Sequence, residues 1–457
     1  MPASMIDSAY FRDLYGTAHM REIFSDERRF ASWLETEVAL ARAEARVGVI
    51  PSAAAVRIGA AARVENLDVA AMKAEYDRVG FPIMPLVHQL AKACDAESAR
   101  WIHWGATTQD IVDTGLVLQM CEGLALVEGE LAAISEAVAR LAKTHRDTVM
   151  AGRTFQQHAA PITFGYKAAV WLDELQRHRE RLAGVKARAL VCQFGGAVGT
   201  LATLGDKGAA VRRELAKELN LTEPDISWHT ARDGWAELIH WIAMLGATLG
   251  KIATEVATLM RSEVDEIREP YQPGRGSSST MPQKRNPIAC PPIIAIAHRL
   301  REGAGTLLVA MFQDHERAVA TQPLEWLVIP EAFILLSGSL EHSRAMLEGL
   351  EVDAGRMREN LNAGGGFLMA EAVMMGLAVK VGRQEAHKLV AAAANRAIDA
   401  GKTLRDGLLE DPAIMQHLTE ADLDRLLEPG NYLGCAGEMI DRVLAKAEGG
   451  GRKADER

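Results

Sequence analysis

Apolar residues recur at helical spacing along most of the chain. Phe30, Trp33, Leu34, Val38 and Ala41 fall on one face of a helix that should start after Ser25 and stop at Gly48-Val49-Ile50-Pro51. Further helices are predicted near residues 52–62 and 67–77, before Gly80-Phe81-Pro82-Ile83-Met84-Pro85 breaks the pattern. No proline then occurs between Pro85 and Pro161, Pro161 and Pro224, or Pro224 and Pro270, and each gap predicts a long uninterrupted helix. In the third, Leu238, Ile242, Leu245, Leu249, Ile252, Val256 and Leu259 alternate steps of four and three, a heptad seam. A helix of about thirty residues is about 45 Å long, and helices of that length bury their seams on one another in a bundle. From about residue 350 shorter helices return, joined by Gly364-Gly365-Gly366, Gly401 and Pro412, and the last ten or so residues are expected to be disordered. The prediction is an all-α chain with three segments, residues 1–104, a central long-helix segment 105–350, and 351–457. A helical scaffold would show the same pattern.

Composition narrows this picture. The 457 residues can bury a large core, and only 5% are aromatic while Ala, Leu, Glu and Arg abound, which favours helix over strand. Five scattered cysteines suggest neither a disulfide framework nor a zinc site and fit a reduced, cytoplasmic protein. No signal-peptide pattern opens the chain, and no stretch of eighteen apolar residues is free of charge, so neither secretion nor membrane spanning is expected. A net charge of −10 argues against general nucleic-acid binding, so an anionic ligand must be held by local positive charge. Without a Walker loop, a dinucleotide fingerprint or a His-Glu-x-x-His motif, no cofactor and no metal is expected.

Three irregular stretches interrupt the helices. Trp104-Gly105-Ala106-Thr107-Thr108-Gln109-Asp110 places two hydroxyls and a carboxylate just before a long helical pattern, where they serve equally as a cap or as an anion site. Nearby, His88, Arg100 and His103 are each explained by structure alone. Gly152-Arg153-Thr154-Phe155-Gln156-Gln157-His158-Ala159-Ala160-Pro161 lies between two long helices. Residues 270–287 pack four prolines, two glycines and three successive serines around Lys284, Arg285 and Asn286, and those donors suit a carboxylate.

The run Ser278-Ser279-Thr280-Met281-Pro282-Gln283-Lys284-Arg285-Asn286-Pro287 resembles the signature loop of the fumarase/aspartase superfamily. The resemblance implies that Ser278 is the base, that Lys284 and Asn286 bind a substrate carboxylate with Ser279 and Thr280 beside them, and that Met281 anchors the loop. Ser277 stands where the family usually has glycine, which leaves the register of the base open by one residue. Residues 104–114 resemble the family's first substrate-binding region, with Thr107 and Thr108 as contacts. Residues 152–165 resemble the second, with Arg153, Thr154 and Gln157 as contacts. There Phe155 replaces the usual histidine, and Pro291 stands where that histidine's glutamate partner is found in many members. The paired loss is similar to the 3-carboxy-cis,cis-muconate cycloisomerase branch, as are Trp228-His229-Thr230-Ala231-Arg232-Asp233, His315-Glu316-Arg317-Ala318 and Glu325-Trp326. His158, three residues after the lost histidine, is then the candidate acid.

These residues fit removal of a proton next to a carboxylate, because the enolate-like intermediate needs positive charge and hydrogen bonds that strengthen as charge develops. A serine can act as base only where neighbouring charge stabilises its alkoxide. Three readings follow: a cycloisomerase that adds a substrate carboxylate across a double bond to form a lactone, a lyase that releases fumarate from an N-succinyl compound, and a non-catalytic scaffold. The resemblance further implies a homotetramer with active sites shared between chains, acting on a small polycarboxylate without nucleic acid or membrane partners.

Overall fold

A computed structural model describes residues 4–454, except 271–273, 275, 277–279 and 282. The chain is mostly helical, as its periodicity predicts. Helix α1, Asp26–Val47, is capped by Ser25, whose hydroxyl accepts from Arg28 N–H, and ends at Gly48 with φ 75°, a left-handed conformation that glycine adopts without Cβ strain. Helix α2, Thr108–Thr144, takes 37 residues of the first proline-free gap, which is not one helix because shorter helices precede it and a hairpin follows. The strands β1, Val149–Thr154, and β2, Gln157–Thr163, follow as an antiparallel hairpin. Next come α3, Phe164–Ala189, and α4, Asp233–Leu259. A two-residue strand β3, Ile267–Arg268, precedes the signature loop; beyond it lie α5, Cys290–Ala310, and α6, Gln322–Glu348. Strand β4, Glu351–Val352, pairs with β3, short helices follow, and α7, Ala436–Ala454, is the last element. The end of the expected disordered tail, residues 455–457, lies outside the described residues.

All seven seam residues of α4 are at most 2% exposed, so the heptad pattern marks a buried face. Both α4 and α6 are long and apolar enough to cross a membrane, but in each 61% of the most apolar window is buried inside the molecule. Two further expectations need correction. The second proline-free gap is not one helix: α3 ends at Ala189, and Gly196 and Gly199 take φ of 70° and 90°, values that break a helix. The chain is also not purely α, because residues 149–163 fold into a hairpin, and β3 and β4 form a second small sheet.

The chain divides into two compact units. The first comprises residues 1–131, 178–250 and 292–341, and the second comprises 132–177, 251–291 and 342–457. In the first unit, Trp33, Leu40, Ile58, Ile83, Leu86 and Phe194 belong to one buried cluster. In the second, Val373, Leu377, Val390, Leu404 and Leu423 form a separate core.

Candidate active site

In the first unit, helix α2 begins at Thr108, within the first region. Asp110, fully buried, organises that start. Its carboxylate accepts hydrogen bonds from the backbone N–H of Thr107 at 3.0 Å and of Gly195 and Gly196 at 2.9 Å each, and lies 2.7 Å from Nε2 of buried His229. A Cβ on Gly195 would come within 2.9 Å of the His229 ring and of Gly199, so only glycine lets this loop approach. Gln109 donates to the His229 carbonyl and accepts from Arg317 Nε at 2.9 Å. His229 and Arg317, singled out by branch resemblance, are thus tied to the first region. Among the described residues the half-buried hydroxyls of Thr107 and Thr108 make no hydrogen bond, which leaves them available to a ligand.

His103, four residues before Thr107, is held in a left-handed backbone (φ 58°) with Nδ1 2.6 Å from Glu37 Oε1. Burial pulls its pKa down, but the charges of Glu37 and Asp110 outweigh burial and raise it, which favours an imidazolium beside the first region. Helical context gave no signal for this, because Glu37 lies on a distant part of the chain. Two turns along the same face of α1 from Glu37, both oxygens of buried Glu44 lack partners among the described residues, and burial with the Glu37 charge pushes its pKa up to about 9. Farther along α2, Asp113 shares the buried Arg232 guanidinium with Glu325, which accepts at 2.7 and 2.6 Å, and that guanidinium stacks 4.1 Å from the Trp235 ring centre.

The second unit carries the second region on the β1–β2 hairpin. Arg153 faces His158 across the ladder, Thr154 faces Gln157, and the connecting Phe155 and Gln156 have φ of 50° and 63°. Positive φ at both central residues is the geometry of a type I′ turn, which usually takes Asn or Gly. The residue in place of the family histidine is therefore the tip of a strained turn, and it is wholly exposed. Thr154, Gln157 and His158 are also exposed. Arg153 is not: its guanidinium pairs with Glu266 at 3.0 and 2.6 Å, and Glu266, fully buried, also accepts from Asn360 Nδ2 at 2.9 Å. Arg153 thus has a structural partner of its own, a feature its sequence position did not reveal. Partial desolvation, with the Arg153 charge added, holds the His158 pKa below the ordinary histidine range, although Glu266 opposes this.

Ser278 and Ser279, with Ser277, lie outside the described residues. Around them, Thr280, Met281 and Lys284 are exposed, and Lys284 N–H donates to the Met281 carbonyl at 3.1 Å. Asn286 closes the turn, donating from its backbone N–H at 3.2 Å and from Nδ2 at 3.0 Å to the Gly276 carbonyl. Two of the loop's cations differ. Arg285 pairs with Glu351, whereas among the described residues the Lys284 ammonium has no partner, which leaves it available to a carboxylate. Pro291 occupies the first turn of α5, where a missing N–H costs nothing. Among the described residues none of Arg153, Thr154, Gln157 and His158 hydrogen-bonds to Lys284 or Asn286.

Residues 15–301 match the model of the lyase family, and residues 366–443 match that of the adenylosuccinate lyase C-terminus. The chain belongs to the lyase family of the fumarase/aspartase superfamily. It is an enzyme of that superfamily, and its fold is fumarase/aspartase-like. It is 44% identical to a 3-carboxy-cis,cis-muconate cycloisomerase of Pseudomonas aeruginosa over 98% of this chain and 97% of that one. Among solved structures, the 3-carboxy-cis,cis-muconate lactonizing enzyme of Pseudomonas putida superposes with a TM-score of 0.92 at 41% identity, covering 96% of this chain and 99% of that one. A fumarate lyase from Mesorhizobium sp. BNC1 superposes at 0.89 with 45% identity, covering 94% and 98%.

Proposed function

We propose that this enzyme is a 3-carboxy-cis,cis-muconate cycloisomerase, adding a carboxylate of its substrate across the neighbouring double bond to give a lactone. The observation that carries the reading is the paired replacement of the family histidine and its glutamate by Phe155 and Pro291 beside an intact loop, in a chain similar over its full length to cycloisomerases. The carboxylate oxygen forms the new C–O bond, the double-bond electrons pass to the carbon next to a second carboxylate, and that carbon takes a proton. Nothing is released. In reverse, Ser278 removes the proton, and Lys284 and Asn286, with Ser279 and Thr280, hold the carboxylate on which charge develops, Met281 anchoring the loop. Thr107 and Thr108 contribute their unengaged hydroxyls, and Thr154 and Gln157 their exposed side chains, while Arg153 acts from its pair with Glu266.

With its pKa lowered, His158 is mostly neutral at pH 7 in the free enzyme, and a bound polycarboxylate, by its charge, would raise that pKa toward the acid role. We place the enzyme in the cytoplasm as a homotetramer with shared sites, an assembly supported by the long buried helical seam and the family resemblance. Residues 1–104, 105–350 and 351–457 would be its three domains. A sedimentation experiment that found an active monomer would overturn the assembly, and mixing two different inactive variants, one in the second region and one in the loop, should partly restore activity.

The similarity to a fumarate lyase favours a second reading, release of fumarate from a succinyl compound. Following ultraviolet absorbance while the enzyme is offered carboxymuconate and a panel of succinyl compounds tests both. Loss of diene absorbance supports the first reading, and growth of fumarate absorbance supports the second.

A further inference from the structure

Glu269 stands immediately before the signature loop, and its side chain reaches the residues immediately after it. The carboxylate accepts from the backbone N–H of Ile288 at 2.9 Å, of Ala289 at 3.0 and 3.1 Å, and of Cys290 at 3.1 Å, which are the free donors at the start of helix α5. A fourth donor, Cys290 Sγ, lies 3.1 Å from Oε1. Burial, then the hydrogen bond to Glu269, pushes the Cys290 thiol pKa far up, so it remains a protonated donor. The Glu269 carbonyl also accepts from Arg285, which pairs with Glu351. Glu269 is 9% exposed, and its donors come from both the far root of the loop and the loop itself.

A helix N-terminus attracts anions because its N–H groups and dipole converge there. In α5 that position is filled by the protein's own carboxylate. The amides of residues 288–290 are therefore not open to a substrate carboxylate. The Glu269 clamp also holds residue 269 against residues 288–290, the two ends of the loop.

We propose that Glu269 is a positioning residue that sets the loop for catalysis by joining its two roots through the amides of residues 288–290. The inference rests on the functional reading above, because the loop is taken to carry the base. The Glu269→Gln variant keeps the size of the side chain but presents an NH2 where N–H donors need an acceptor.

The test compares wild type, Glu269→Gln, Glu269→Asp and a remote control, Asp95→Ala, which removes a cap from the helix Ala96–Ala99. Hydrogen exchange is followed by mass spectrometry, and kcat and KM are measured with whichever panel compound the wild type converts. Glu269→Gln should speed exchange at Lys284 and Asn286 as well as at residues 288–290. Its kcat should fall at least about tenfold with KM changed less than about threefold, Glu269→Asp should recover part of both effects, and Asp95→Ala should show neither. Faster exchange confined to 288–290 with normal kcat would reduce Glu269 to a helix cap and overturn the proposal. So would a kcat loss matched by Asp95→Ala. Wild type that converts no panel compound, together with faster loop exchange in Glu269→Gln, upholds the positioning and defeats the functional reading. Should Glu269→Gln fail to fold, the graded response of Glu269→Asp decides by the same criteria.

Discussion

The two units hold their candidate residues in opposite ways. In the first, the start of α2 is fixed by buried charge: Asp110 gathers three backbone amides and His229, and Arg232 is enclosed by Asp113, Glu325 and two tryptophan rings. In the second, Glu266 holds Arg153 close to the hairpin turn and Glu269 holds residues 288–290 at the end of the signature loop, while Thr154, Phe155, Gln157, His158 and Lys284 are exposed. Buried polar networks are costly to leave half-satisfied, so they specify one geometry. Exposed side chains beside fixed neighbours suit groups that must close on a substrate and release a product. Under the proposed function, the candidate residues of the first unit would bind substrate and those of the second would react.

The sharpest test of that division is Ser278→Ala. Activity should fall by on the order of 4 kcal/mol or more in activation free energy, with urea unfolding unchanged. Ser277→Ala and Ser279→Ala should be milder, and a dead Ser279→Ala beside an active Ser278→Ala would move the base by one residue. The first unit should answer in the opposite currency. Arg232→Met leaves Asp113 and Glu325 buried without their partner and should cost about 3 kcal/mol of stability, read as a lower urea midpoint. A stable but inactive Arg232→Met would break the comparison.

Glu44 sharpens it through pH. Its folded pKa of about 9 lies above the ordinary carboxyl value, so the folded chain keeps a proton that the unfolded chain loses above about pH 4.5. Stability should fall as pH rises from about 5 to 9. Glu44→Gln should remove on the order of 2 kcal/mol of that loss, measured by unfolding at both ends of the range, and equal slopes for the two proteins would refute it. The smallest effect is expected at His158. As an acid it should give a kcat/KM profile that falls on the alkaline side of its lowered pKa, a kcat limb at higher pH once substrate is bound, and a flattened limb in His158→Gln. A variant that raises KM and leaves the shape of the turnover profile unchanged would make His158 a binding residue.

Some of this was legible locally. A heptad seam needs only the spacing of Leu238 to Leu259, and all seven residues are buried; Ser25 and Gly48 bound α1 because capping depends on the few nearest amides. The order of residues in the signature loop identified the superfamily, and the two-position loss at Phe155 and Pro291 pointed to the branch. The hairpin escaped notice because strand pairing rewards contacts across a turn, and Phe155-Gln156 is not the Asn-Gly type that announces one.

What the sequence by itself determined was the mostly helical class, where the longest buried seam runs and which residue types meet in the signature loop, since each of these depends on neighbours within a few turns. Tertiary structure alone decided which charges remain available. Arg153 meets Glu266, Arg232 meets Asp113 and Glu325, Arg285 meets Glu351, and among the described residues Lys284 stays unpaired. Those partners are distant in sequence, and the balance between desolvation and pairing that fixes each group's charge exists only once the fold has brought them together.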